Sequence, residues 1–341
     1  MTPVVDAHNH ALLTHARTKQ HVFPAVDVTR LAAEMHTGGV IGMGLIVGGT
    51  ISFPVRESRS AWLGTVDGLH RFWAGLEASG HDLAVIQDAR DLGLLGEDLP
   101  GVLLAIEGWD CCLDAPAANP VDALAQLAEL GVRSIQPLGR SESRAFAPEN
   151  DPSDALDLSQ IGRDLIVKAR QLGMVLDVAH FRGDEPAFAE ILDLADGAVI
   201  ASHHSCQAIT DNPRALSNAA IRAIADTGGV IGIHAGRNWL SNTPEQASID
   251  EFLQHVTHVI EVAGVAHVAI GTDHVDVRAM PIDLPNDMYI DGFQGPATMG
   301  LFSEAVQRLG LTESERENVL WKNVFRVWQA ALLSPAESRS G

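Results

Sequence analysis

Three cysteines in 341 residues, two of them adjacent at Cys111 and Cys112, leave no set of paired bridges that could staple a small secreted fold. Such usage fits a reducing compartment. Basic side chains are scarce as well. The 23 basic against 44 acidic residues give a formal charge of -21, a field that repels phosphate backbones and anionic lipid surfaces alike. The expectation is therefore no nucleic-acid partner and no membrane partner. Long apolar runs are missing too: Val40 to Val47 and Met174 to Val178 are short and broken by glycine or a charge, far from the roughly 20 residues that span a bilayer. Between Met1 and His10 no basic segment precedes an apolar run, so the expectation is a cytoplasmic protein without a secretory leader.

What remains is ordinary globular material, with 46% hydrophobic and 20% charged residues, enough for a large core. No Pro/Gly/Ser linker or change of composition divides the chain, which predicts a single domain over 1–341. One theme recurs along it, a short apolar and often β-branched run, a polar cluster, then a stretch with helical spacing. The runs are Val4 to Ala7, Val40 to Val47, Val102 to Ile106, Val132 to Pro137, Met174 to Val178, Ala198 to Ala201, Gly229 to Ile233 and His267 to Ile270. Their near-continuous apolar character suits parallel strands buried on both faces. Helices are predicted at Val26 to His36, Ser60 to Ser79 continuing to Asp91, Val121 to Leu130, Ser159 to Leu172, Pro186 to Leu194, Asn218 to Asp226 and Ser248 to Ala263. Ala297 to Leu309 and Glu313 to Leu333 read as two closing helices.

Eight such units predict an α/β fold, a (β/α)8 TIM barrel. An open doubly wound sheet is the rival, but the first strand lacks a glycine-rich phosphate turn and polar clusters follow most of the strands. Gly139 to Leu158 and Asp276 to Pro296 read as long loops over the face where the clusters lie.

Those clusters carry the chemistry. Asp6-Ala7-His8-Asn9-His10 ends the first run, and residues two apart in an extended chain present both imidazoles to one side. Glu107 follows five apolar residues, where a carboxylate is costly to bury without a cation, and taken singly an arginine would serve as well as a metal. His180, the pair His203-His204 and Asp273 end three further runs. Together, His8, His10, Glu107, His180, His203 and Asp273 fall at the strand ends where barrel enzymes place their catalysis. Four imidazoles and two carboxylates exceed the needs of one tetrahedral zinc but suit two divalent ions, with Glu107 as the bridge. His8 and His10 would hold one ion and His180 and His203 the other, with Asp273 moving the proton of an attacking water. His203 and His204 cannot both point inward from a regular strand, and His204 reads as a support or substrate contact.

These residues resemble a family. Asp6-Ala7-His8-Asn9-His10, Ile106-Glu107-Gly108, Leu176-Asp177-Val178-Ala179-His180, Ser202-His203-His204-Ser205 through Asp211-Asn212-Pro213-Arg214, Gly228-Gly229-Val230-Ile231-Gly232 and Gly271-Thr272-Asp273 are similar, in the same order, to the membrane (renal) dipeptidases, metallopeptidase family M19, within the wider amidohydrolase group. The resemblance implies a (β/α)8 barrel, two zinc ions bridged at Glu107, a homodimer, and hydrolysis of a dipeptide or related small amide. Asp273 would handle the proton and Arg214 the substrate carboxylate, a task that suits a guanidinium fork. Two positions depart from the pattern. His10 stands where the family usually has Asp, which keeps a ligand and removes a negative charge. Gly139 stands where the family has a histidine near the scissile group, and Arg140, Arg144, His234 and His274 are the candidates to replace that donor. The alternatives are an amidohydrolase acting on a non-peptide amide, lactone or cyclic amide, and a catalytically silent metal-binding barrel.

Overall fold

In the computed structural model, which describes residues 2–11, 27–49, 61–138, 157–275 and 287–333, the β-branched runs pair side by side in one direction. The strands are β1 Val4–Asn9, β2 Val40–Gly49, β3 Ala84–Val85, β4 Gly101–Glu107, β5 Ser134–Gln136, β6 Val175–Leu176, β7 Ile200–His204, β8 Val230–Ile233 and β9 Val268–Ile270. Eight of them run in the order β6-β5-β4-β2-β1-β9-β8-β7, and β3 pairs with the start of β4. The fold is α/β with a parallel sheet. Between the outermost strands, Asp177 and Ile200 form a parallel bridge, and Val178 N–H donates to the Ile200 carbonyl at 2.7 Å.

β3 corrects the expectation of one helix from Ser60 to Asp91. The helix spans Ala61–Ala78 and stops because Gly80 and His81 turn left-handed, at φ 73 and 67. His81 N–H then reaches back to the Leu76 carbonyl at 3.1 Å, satisfying an orphan acceptor of the last turn. The chain is released into a ninth short strand that periodicity alone did not register. Other helices begin where a short polar side chain can cap them: Asn119, Ser159 and Ser217 each accept an amide hydrogen at the starts of Pro120–Glu129, Gln160–Gln171 and Asn218–Asp226. Ser248 and Glu251 form a reciprocal capping box at the start of Ile249–Ala263.

Strand alternation divides the core in two. Val4, Val102 and Leu104 pack outward under the helices. Val5, Ile41, Leu103, Val175, Ile200, Val230 and Ala269, one from each of seven strands, meet in a second cluster. Helix Asn323–Leu332 plugs that cluster with Val324, Val327, Trp328 and Leu332, spaced to share one helical face. The segment expected as one closing helix from Glu313 to Leu333 is interrupted by a π turn at Asn318–Lys322. Among the described residues no helix is long and apolar enough to cross a membrane. Cys111, Cys112 and Cys206 are free and buried. Most of the two loops expected over the strand ends, 139–156 and 276–286, lies outside the described residues, as do Gly139, Arg140 and Arg144.

Candidate metal centre

The polar groups reach the centre through two irregularities. Val5 and Ala7 face the inner cluster, so strict alternation would turn His8 and His10 away from it. Pairing of β1 with β2 shifts register between Asp6 and Asn9, which reverses the phase and brings both rings inward. Gly44 on β2 makes room, since a Cβ there would collide with the Ala7 carbonyl oxygen. A second shift, between Ala201 and His204 of β7, does the same for His203. Gly232 and Gly271 give that bulge its space, because a Cβ on either would strike the Ser202 carbonyl oxygen.

The result is a dense set of ligand atoms. His8 Nε2 lies 3.1 Å from His10 Nε2, 3.5 Å from Glu107 Oε2 and 3.7 Å from Asp273 Oδ1. His10 Nε2 is 3.0 Å from both Glu107 Oε2 and Asp273 Oδ1. On the other side, His180 Nε2 is 3.5 Å from Glu107 Oε1 and 2.9 Å from His203 Nε2. Glu107 thus presents Oε2 to His8 and His10 and Oε1 to His180. Two overlapping triads, His8 with His10 and Glu107, and His8 with His203 and Asp273, each bring their donor atoms close enough to hold one metal ion. The rings are aimed from behind. His8 and His203 direct Nδ1 at the Ser202 hydroxyl oxygen, at 3.1 and 2.8 Å, and Asp177 Oδ2 lies 3.8 Å from His8 Nδ1. With Nδ1 engaged, each Nε2 faces the centre, the arrangement that orients metal-binding imidazoles.

Electrostatics shows why a cation suits the cluster. Glu107 Oε2 is buried and makes no hydrogen bond despite the imidazole nitrogens around it. Burial opposes charge on His8, yet the neighbouring carboxylates of Asp177, Glu107 and Asp273 push it up to about 10. His10 is raised in the same way, against burial, by Asp273 and Glu107. Burial also disfavours the charged form of Glu107, but His10 and His8 hold it down at about 2. Asp273 stays well below the carboxylate range despite burial, through its imidazole neighbours His203, His10 and His234. Burial drives His203 the other way, well below its ordinary value. Protons on His8 and His10 thus offset the carboxylates, and divalent cations can take their place. The residues present fit such ions.

Two of these residues hold the backbone in the left-handed region, His180 at φ 76 and Asp273 at φ 51. For non-glycine residues this conformation costs on the order of 1–3 kcal/mol and concentrates at functional sites.

Of the substrate contacts expected from sequence, His204 is buried beside the cluster and donates Nδ1–H to the Arg214 carbonyl at 3.0 Å, tying down the loop of that half-buried arginine. His234 Nε2 meets Asp273 Oδ2 at 3.0 Å. His274 packs its ring against Tyr289 and Phe293, with centroids 5.2 and 5.5 Å away. Sequence reasoning gave no role to Asp177, Ser202 or Trp239. Asp177 Oδ1 accepts the amide hydrogen of Ser202 across to β7 and that of Ala179 two residues on, both at 3.0 Å. Its signal was legible, a carboxylate inside the apolar run Met174 to Val178, the same mark that singled out Glu107. Trp239, whose indole stacks on His234 at 4.6 Å, left no such mark.

Known structures share this architecture. An amidohydrolase from Pseudomonas aeruginosa superposes with a TM-score of 0.76 over 97% of this chain and 97% of that one, at 17% identity. A metallopeptidase from Rhodobacter sphaeroides, liganded with a phosphinate mimic of the dipeptide L-Ala-D-Ala, gives 0.75 over 96% and 99%, also at 17% identity. At such identities the likeness is one of fold. The chain belongs to the membrane dipeptidase family, peptidase family M19, whose profile matches residues 1–340. Among curated sequences, an uncharacterized dipeptidase of Schizosaccharomyces pombe is 27% identical over 231 residues, 67% of this chain and 52% of that protein. The chain thus matches about half the length of that relative.

Proposed function

We propose that this protein is a dinuclear metal-dependent hydrolase that cleaves the amide bond of a dipeptide or a related small carboxylate-bearing amide. The observation that carries this reading is the convergence of His8, His10 and His180 on the two oxygens of Glu107, with His203 Nε2 2.9 Å from His180 Nε2 and Asp273 Oδ1 3.0 Å from His10 Nε2. His8, His10 and Glu107 would hold one ion, and His180 and His203 with the other Glu107 oxygen the second. Zinc suits this set of imidazoles and carboxylates. Divalent ions held there supply a polarised scissile carbonyl and an acidified water. Asp273 takes the proton of the attacking water at Oδ1 and returns it to the departing amine. Arg214, its loop held by His204, receives the substrate carboxylate. The dipeptide class draws on family membership and on the dipeptide mimic bound by the Rhodobacter sphaeroides metallopeptidase.

The reading includes one (β/α)8-barrel domain over 1–341. It is supported by the bridge between Asp177 and Ile200 and by an inner cluster that draws on seven strands. A homodimer follows from the family resemblance. A cytoplasmic site is supported by three free cysteines, and the absence of a nucleic-acid partner by the charge of -21.

Metal analysis with a substrate panel tests the proposal. Purified protein is expected to hold about two metal equivalents and to release amino acids from dipeptides. Asp273→Asn should keep the metal while kcat falls by about 10²–10⁴-fold. Tight metal with no turnover of dipeptides, amides, lactones or esters would make the protein a binding module. Turnover confined to lactones or cyclic amides would move it to the wider amidohydrolase chemistry.

A further inference from the structure

We propose that His234 is a positioning residue that locks the Asp273 carboxylate in its working rotamer through a fixed Nε2–H tautomer. The inference rests on the hydrolase reading above for the role of Asp273. Three contacts define the imidazole. Gly236 N–H donates to His234 Nδ1 at 2.6 Å, and since a backbone amide can only donate, Nδ1 must be the acceptor and the ring proton resides on Nε2. Nε2–H then donates to Asp273 Oδ2 at 3.0 Å. Trp239 lies on the ring at 4.6 Å with an interplanar angle of 14°, which sets its plane.

The consequence falls on the carboxylate. With Oδ2 held by His234, Oδ1 is turned to His10 at 3.0 Å, and the two oxygens take separate tasks. This division matters because Asp273 sits at φ 51 just beyond the end of β9, where the backbone is strained and a second anchor fixes the side chain. Tyr289 supplies the main-chain anchor by donating its hydroxyl to the Asp273 carbonyl at 2.8 Å. The close approach also explains Gly236. Its φ of -76 is open to any residue, but a Cβ would lie 2.6 Å from His234 Cε1, so glycine is required for space rather than for conformation.

Two measurements test this. Long-range ¹H–¹⁵N imidazole spectra, with the His234 signals assigned by their loss in His234→Gln, should show the Nε2–H tautomer in metal-free and metal-loaded protein alike. In kinetics on the dipeptide panel, His234→Leu is expected to lower kcat about 10–100-fold at unchanged metal content and nearly unchanged KM. His234→Gln, whose amide can donate from nearly the same point, should recover most of the loss, and Gly236→Ala should fall between wild type and His234→Leu. An Nδ1–H or doubly protonated ring would overturn the inference, as would equal impairment of the Gln and Leu variants, or a rise in KM with kcat kept. Should wild type turn over nothing, the hydrolase reading fails, and the tautomer spectra still decide whether His234 holds Asp273 as described.

Discussion

At the amino-terminal end of the strands, Val5, Ile41, Leu103, Val175 and Val230 pack dry against Trp328 and its neighbours, whereas at the carboxyl-terminal end the same sheet buries His8, His10, Glu107 and His203. The first end gains free energy from every apolar surface removed from water, about 25 cal/mol per Å². The second loses hydration of ionisable groups and recovers it only by pairing them with one another, or with cations. Stability is thus concentrated at the plugged end and reactivity at the polar end. Substitutions at the two ends should therefore separate folding from metal binding.

The sharpest separation is expected at Glu107. Glu107→Ala removes the group that faces His8, His10 and His180, so bound metal and turnover should fall to background while the metal-free protein still folds. A variant that retains two metal equivalents would break the comparison. The reverse is expected of Trp328→Ala, which empties a site only 1% exposed and should cost about 3–5 kcal/mol in denaturant unfolding, with metal content intact in the folded fraction.

Acid should act through neutral buried histidines. Burial, opposed only partly by a hydrogen bond to a backbone carbonyl, depresses both His204 and His255 to about 4. A folded-state value below the unfolded one means that the unfolded chain takes up the proton first. The stabilisation is therefore complete above about pH 6.5 and is lost as pH falls towards 4, by roughly 3 kcal/mol for each histidine. Chemical unfolding at stepped pH checks this, and a flat profile from 7 to 4 would refute it. The smallest effect is expected of Asp177→Ala, which strips the acceptor shared by Ser202 and Ala179. It should cost about 1–3 kcal/mol and weaken metal affinity about 10–100-fold by freeing His8 behind its ring, read by calorimetric titration with zinc.

Much of this was legible in the sequence, for identifiable reasons. Buried parallel strands need uninterrupted apolar runs, so eight of the nine strands announced themselves, while the two-residue β3 was too short for any period to register. A carboxylate or imidazole at the end of such a run is costly unless it is used, which is why His8, Glu107, His180 and Asp273 stood out. Asp177 carried the same mark, but its place within the run, rather than at its end, concealed its task of joining two strand edges.

Local chemistry thus determined which residues were candidates, because burial energetics and helix capping act over a few neighbouring positions. Only the tertiary structure decided their direction. The register shifts in β1 and β7, and the glycines elsewhere in the chain that admit them, depend on contacts between residues far apart in the chain. So does the division of Asp273 between His10 and His234, since no local pattern records which oxygen faces which ring.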